Sequence, residues 1–246
     1  DHPRYFEWFD GLKEGGIGMC CEAAARLILG NDAEYSETEI PDEPCDIYDC
    51  ELSGLLMSAR AELMSALKEK SIGDAINDAV DFAVKLQNNI DNGEYSLPGF
   101  YAADKKETAD MREILRFYTQ LEPIDNSWIP YLEKCMDTDL SCISLSAEHE
   151  NYLRRIAVYF IFRYFMKGTF DGEILSRVKL MSVSTAVIAH LWKCRIAENE
   201  NCDFDECCEI ARRYSKEIEY CEENIDKLSD AFYTESVFSE NIMLKI

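Results

Sequence analysis

The sequence predicts an all-α protein, a multi-helix bundle with an N-terminal helical hairpin and a C-terminal three-helix core. Three observations predict it. Apolar residues recur at three- and four-residue steps through most of the chain beyond Leu52, as one face of a helix requires. No clean two-residue alternation of β-branched and aromatic residues persists between turn markers, so strands have little support. The stretch from Ala147 to Met166 carries apolar side chains on almost every face, the pattern of a helix buried at a domain centre. The 246 residues suffice for one large helical domain or two small ones, and a 47% hydrophobic content argues against disorder.

The expected organisation has three parts. Residues 1–50 form a cysteine-containing segment and acidic loop, 51–122 a helical hairpin plus a short helix, and 123–246 a C-terminal helical bundle that packs with the preceding helices as one compact unit. In the first part, Gly15-Gly16-Ile17-Gly18 leads into Cys20-Cys21 and a short helix over Glu22 to Leu29. Glu34 to Asp49, with Pro41, Pro44 and seven acidic residues, reads as a loop or crossover.

The hairpin follows from Leu52, Leu56, Ala59, Leu63 and Ala66, then a break at Ser71 and Gly73, then Ile72, Ile76, Ala79, Ala83, Leu86 and Ile90. Asn92-Gly93 is its C-terminal stop. A loop to about Lys106 precedes a short amphipathic helix carrying Met111, Ile114, Leu115, Tyr118 and Leu121, ended by Pro123. Ser127 reads as the N-cap of a helix with Pro130 in its first turn, running to about Cys135. After the Ala147 to Met166 helix, two seams complete the bundle. One is Ile174, Val178, Met181, Thr185, Ile188 and Trp192; the other, read as a single helix, is Cys207, Ala211, Tyr214, Ile218, Cys221, Ile225, Leu228 and Phe232.

Charge excludes some partners. With 25 basic and 48 acidic side chains the formal charge is −23, which repels nucleic acid and anionic membrane surfaces and attracts basic segments or cations. The plainer reading is a solvated acidic surface that keeps the chain in solution. No apolar run approaches the ~18–20 residues that span a bilayer, and the nearest, Ile156 to Met166, is cut by Arg163. The chain begins at Asp1 with no charged-then-apolar leader, which reads as a piece of a longer polypeptide. Eleven scattered cysteines, an odd number in a chain of this size, fit a reducing, cytoplasmic setting with free thiols or metal ligation.

Candidate chemistry centres on cysteine. Cys20 and Cys21 sit at or just before a helix N-terminus, where the dipole favours thiolate and suits a metal ion or an iron–sulfur cluster; packing as small hydrophobes is the equal alternative. Cys45 and Cys50, and Cys202 and Cys207, each have four residues between them but do not continue into a Cys-x-x-Cys run, so their zinc signal is weak. Cys207 and Cys221 fall on an apolar seam and read as core. His2, His149 and His190 are far apart with no partner at ligand spacing, and His149 and His190 read as hydrogen-bonded structural residues. There is no HExxH motif, P-loop, nucleophile elbow or dinucleotide loop. Tyr152, Tyr159, Phe160, Phe162, Tyr164 and Phe165 suit either an aromatic cage for a lysine ammonium or, preferably, core packing.

Three blocks carry a family resemblance: His2-Pro3-Arg4-Tyr5-Phe6 with Met19 to Leu29; Glu150-Asn151-Tyr152-Leu153 with Phe162-Arg163; and Tyr214-Ser215-Lys216-Glu217-Ile218-Glu219. Their order resembles the flagellin lysine-N-methylase family of bacteria. The resemblance implies transfer of methyl from S-adenosylmethionine to lysine side chains of a protein substrate, flagellin or a similar surface protein, with cysteines holding an iron–sulfur cluster. Members of that family carry most of their spaced cysteines before the Pro-Arg element, where this chain begins. Cys21 and Cys20 are the cluster cysteines it retains, and the resemblance names no catalytic residue. The alternatives are a noncatalytic acidic helical module that binds a basic or lysine-bearing partner, and a zinc-stabilised scaffold.

Overall fold

The structure, a computed structural model, describes residues 50–100, 107–199, 201–239, 242–244 and 246. The readings on the Cys20-Cys21 helix and the Glu34 to Asp49 loop lie outside these residues. The described residues belong to one compact unit, and they are helical almost throughout. Among them no helix is long and apolar enough to cross a membrane.

Helix α1 (Cys50–Glu69) and helix α2 (Ile72–Asp91) make the hairpin. Ser71 caps α2, its hydroxyl accepting the Asp74 backbone N–H at 3.2 Å. Beyond the C-cap Asn92, Gly93 takes the left-handed conformation (φ +73°) that a residue without Cβ adopts at little cost. A two-residue strand β1 (Glu107–Thr108) then precedes α3 (Met111–Tyr118), which Asp110 caps, and α4 (Trp128–Asp137). Ser127 stands at the N-cap of α4 as expected, but its hydroxyl does not cap the helix. It donates to Asp125 at 2.7 Å and accepts from Arg213 at 2.7 Å.

The C-terminal helices are α5 (Ala147–Tyr164), the short α6 (Gly168–Asp171), α7 (Leu175–Asn199), α8 (Phe204–Glu219) and α9 (Glu222–Thr234), followed by strand β2 (Ile242–Met243). β2 pairs parallel with β1, Glu107 opposite Ile242. Asn77 of α2 clasps the next residue, accepting the Leu244 N–H at 2.9 Å and donating to its carbonyl at 2.8 Å.

The centre of the bundle is α7, packed by α2, α5, α8 and α9, and not the aromatic α5. Small residues explain the difference. Ser176, Ser182, Ser184, Thr185, Ala186 and Ala189 are buried on α7 and let neighbours approach on every side. Their hydroxyls are satisfied without water: Ser182 donates to the Ile76 carbonyl at 3.2 Å, Thr185 to Met181 at 2.7 Å, and Ser184 accepts from Tyr214 at 2.8 Å. Helix α5 buries one stripe, Leu153, Ala157, Phe160, Ile161 and Tyr164, and leaves Tyr159 and Phe162 40% and 52% exposed.

The last seam is also two helices. It breaks at Tyr220-Cys221, where Asn224, fully buried, donates to the Glu217 and Glu122 carbonyls at 2.9 and 2.8 Å and accepts the Glu122 N–H at 2.8 Å. Glu217, also buried, accepts the Ile124 and Asp125 backbone N–H groups at 2.7 and 3.1 Å. Together they fasten the segment between α3 and α4 to the α8–α9 corner.

Candidate functional site

Two motif blocks meet where α5 ends beside α8. Tyr159 and Arg163 are four residues apart on α5 and so share a helix face. Tyr159 and Tyr164 both donate their hydroxyls to one oxygen of Glu219, at 2.9 and 2.8 Å. The Glu219 side chain is 1% exposed, and Arg163 Nε stands 3.5 Å from the same oxygen. The guanidinium lies over both rings, 5.8 and 5.4 Å from their centres. Burial, then the Glu219 carboxylate, pushes the Tyr164 phenol well above its ordinary range, so it remains a protonated donor at neutral pH.

Tyr164 turns its other side to a cleft of about 470 Å³ between α5–α6, the first turns of α7, and α9. The cleft combines aromatic faces, Tyr164 and Tyr233, with four carboxylates, Asp171, Glu173, Asp226 and Asp230, and two cations, Lys167 and Arg177. Arg177 is paired with Asp171 at 2.6 Å. Tyr233 donates its hydroxyl to Glu173, and burial followed by Glu173 raises that phenol too. The Lys167 ammonium lies 5.0 Å from the centre of the Tyr164 ring. Such an arrangement accommodates an ammonium, by ring quadrupole and by carboxylate.

The residues singled out as an aromatic cage do not converge. Phe160 and Phe165 are core, Phe162 is exposed, and only Tyr164 lines the cleft. Tyr233, Asp226 and Asp230 had no signal beyond four-residue spacing on the polar face of an amphipathic helix.

A second group forms where the N-termini of α5 and α8 lie together. Each helix opens with a capping box, Ser146 with His149 and Asp203 with Glu206. His149 Nδ1 accepts the Ser146 N–H at 3.2 Å and lies 2.8 Å from its hydroxyl, while Nε2 donates to the Cys202 carbonyl at 2.8 Å. Those partners assign the tautomer. Cys202 precedes the N-cap of α8 and Cys207 is its fourth helical residue, the two positions that a hydrophobic staple fills. Their sulfurs are 3.4 Å apart. Trp192 donates its indole N–H to the Cys207 carbonyl at 3.2 Å. One ligand atom from each of His149, Cys202 and Cys207 lies within 4.8 Å of the others. The hydrogen bond between the thiols lowers the pKa of Cys202 and, with burial, pushes that of Cys207 far up.

The remaining buried thiol pair joins α4 to α7. Cys194 donates to the Cys135 carbonyl at 3.6 Å, and His190 Nε2 lies 3.3 Å from the same oxygen. Among the described residues no set of four sulfurs offers the ligands of an iron–sulfur cluster. Cys21 and Cys20 lie outside the described residues.

The family model described as FliB lysine N-methylase C-terminal domain matches residues 55–246. No curated protein and no solved structure matches the chain.

Proposed function

The chain belongs to the FliB lysine N-methylase family, and from that premise we propose that it is part of a protein-lysine N-methyltransferase whose helical domain holds the target lysine in the Tyr164–Tyr233 cleft. The substrate is an exposed lysine of flagellin or a similar protein, and the methyl donor is S-adenosylmethionine. The observation that carries the cleft assignment is Lys167, whose ammonium already rests on the Tyr164 ring beside a carboxylate rim. A substrate lysine needs the same surroundings: an aromatic face for the ammonium and carboxylates for the charge. The −23 formal charge favours approach of a basic segment.

Cys21 and Cys20 are proposed as ligands of an iron–sulfur cluster, which when bound would bind and activate the methyl donor. Among the described residues no set of four sulfurs would hold it. A reducing, cytoplasmic setting is proposed from the odd count of eleven scattered cysteines.

The test is methyl transfer from labelled S-adenosylmethionine to flagellin, with binding measured in parallel. Asp226→Asn and Asp230→Asn, exposed positions that leave the core untouched, are expected to raise the flagellin KM about 2–5-fold each, as removal of an exposed carboxylate implies. Charge-dependent binding without any transfer, in protein holding iron and acid-labile sulfide, selects the noncatalytic binding module instead. Unchanged binding and transfer in the double variant rules out the cleft. Cys21→Ala is expected to lower bound iron and sulfide.

A further inference from the structure

We propose that His149, Cys202 and Cys207 form a zinc(II) site that ties the N-terminus of α5 to that of α8. The site is separate from the cleft and does not depend on the methyltransferase reading.

The donor set is the first argument. Two thiolates and an imidazole are ligands that zinc prefers, and here they come from two helix starts that lie side by side, joined by the His149 Nε2 to Cys202 carbonyl bond. Bonds of ~2.3 Å at a tetrahedral angle place two zinc-bound sulfurs about 3.8 Å apart. The sulfurs stand at 3.4 Å, so a shift of a few tenths of an ångström seats them. The four residues between Cys202 and Cys207 fall at the upper end of the spacing of zinc-binding pairs, a weak signal by itself that gains weight from His149 beside them.

The surroundings supply the rest. Zinc requires an unprotonated ring nitrogen, so Nε2 must leave the Cys202 carbonyl and the proton must move to Nδ1. Ser146 Oγ, 2.8 Å from Nδ1, is placed to accept from that Nδ1–H, the outer-shell partner that fixes a ligand histidine. The Ser146 backbone N–H then turns to water, and Ser146 is exposed. Two thiolates neutralise the ion, and the first helical turns add Glu148, Glu150 and Asp205. His149 is half-buried and Asp203 exposed, so water reaches the fourth position. Binding releases the two thiol protons to solvent.

The experiment is an anaerobic cobalt(II) titration of the full, reduced chain, followed by displacement with zinc(II). One equivalent is expected to give sulfur-to-cobalt charge transfer and tetrahedral visible bands that zinc abolishes. Cys202→Ser and Cys207→Ser should each remove that equivalent, and Cys135→Ser should leave it. His149→Gln, whose amide can still donate to the Cys202 carbonyl, should weaken binding at least ~10-fold, the scale of losing a ligand or its support. Melting with and without zinc gives a second readout: the wild-type Tm rises with zinc, and that of Cys207→Ser does not. The proposal is overturned if the cobalt bands persist undiminished in the Cys202→Ser/Cys207→Ser double variant. It is equally overturned if no stoichiometric metal binds, or if protein isolated without reductant carries a Cys202–Cys207 disulfide and no zinc.

Discussion

Replacing Glu219 with alanine is expected to destabilise the domain by about 2–4 kcal/mol. The largest part comes from Tyr164, a buried phenol that loses a charged acceptor at 2.8 Å; such a bond contributes about 1.5–3 kcal/mol. Tyr159 and Arg163 are 40% and 42% exposed, so water replaces much of what they lose, and together they add about 0.5–1 kcal/mol. For a domain of this size the sum corresponds to a fall in Tm of about 5–15 °C. Urea unfolding followed by far-ultraviolet circular dichroism reads the cost directly. A cycle with Tyr164→Phe isolates the buried bond, and the two substitutions should couple by about 1.5–3 kcal/mol. A cost below about 1 kcal/mol, or additivity within ~0.5 kcal/mol, refutes the assignment of Glu219 as the acceptor that holds α5 against α8.

Three further outcomes are expected. Burial holds His190 below its usual pKa, so below about pH 6.5 the unfolded chain binds a proton the folded chain refuses. That contribution to stability is complete above this pH and falls away as pH drops toward the folded pKa; His190→Gln should flatten it when urea midpoints at about pH 7.5 and about pH 5.5 are compared. A Cβ at Gly168 would lie 2.2 Å from Ile174 Cδ1, so Gly168→Ala should cost about 1–3 kcal/mol. Ile174→Val deletes that methyl, and the double variant should unfold at higher urea than the summed costs predict. Asn224→Ala removes three hydrogen bonds of a fully buried side chain, two of them part-buried bonds to the Glu122 backbone, and should lower stability by about 2–3 kcal/mol, read as a shifted urea midpoint.

Much of the helical framework was legible in the sequence, and the failures have physical causes. The hairpin and its Asn92-Gly93 stop follow from spacing and turn chemistry alone. The sequence points to α5 as the centre because its aromatic density outweighs, by letter, the serines and threonine of α7, although hydroxyls bonded to nearby carbonyls behave as small filler. The break at Tyr220-Cys221 was hidden because the apolar seam stays in phase across it. Of the candidate site, Arg163 and Glu219 stood in motif blocks, but their meeting depends on how α8 docks against α5. His149 and Cys202 are 53 positions apart; only the packing of two helix ends makes them neighbours.

The central helix has a start that it does not make for itself. Its first backbone N–H, and that of Ile174 before it, are received by a side chain of α2: Gln87 accepts from Ile174 at 2.7 Å and Leu175 at 3.2 Å, and donates to the Gly172 carbonyl at 2.9 Å. Such orphan donors are ordinarily met by a residue just upstream. Here the terminating group arrives from 87 positions away, so the first turn of α7 is complete only after the hairpin has docked. Separating the hairpin from the C-terminal helices would therefore strip the principal helix of its N-terminal acceptor at the end that faces the cleft.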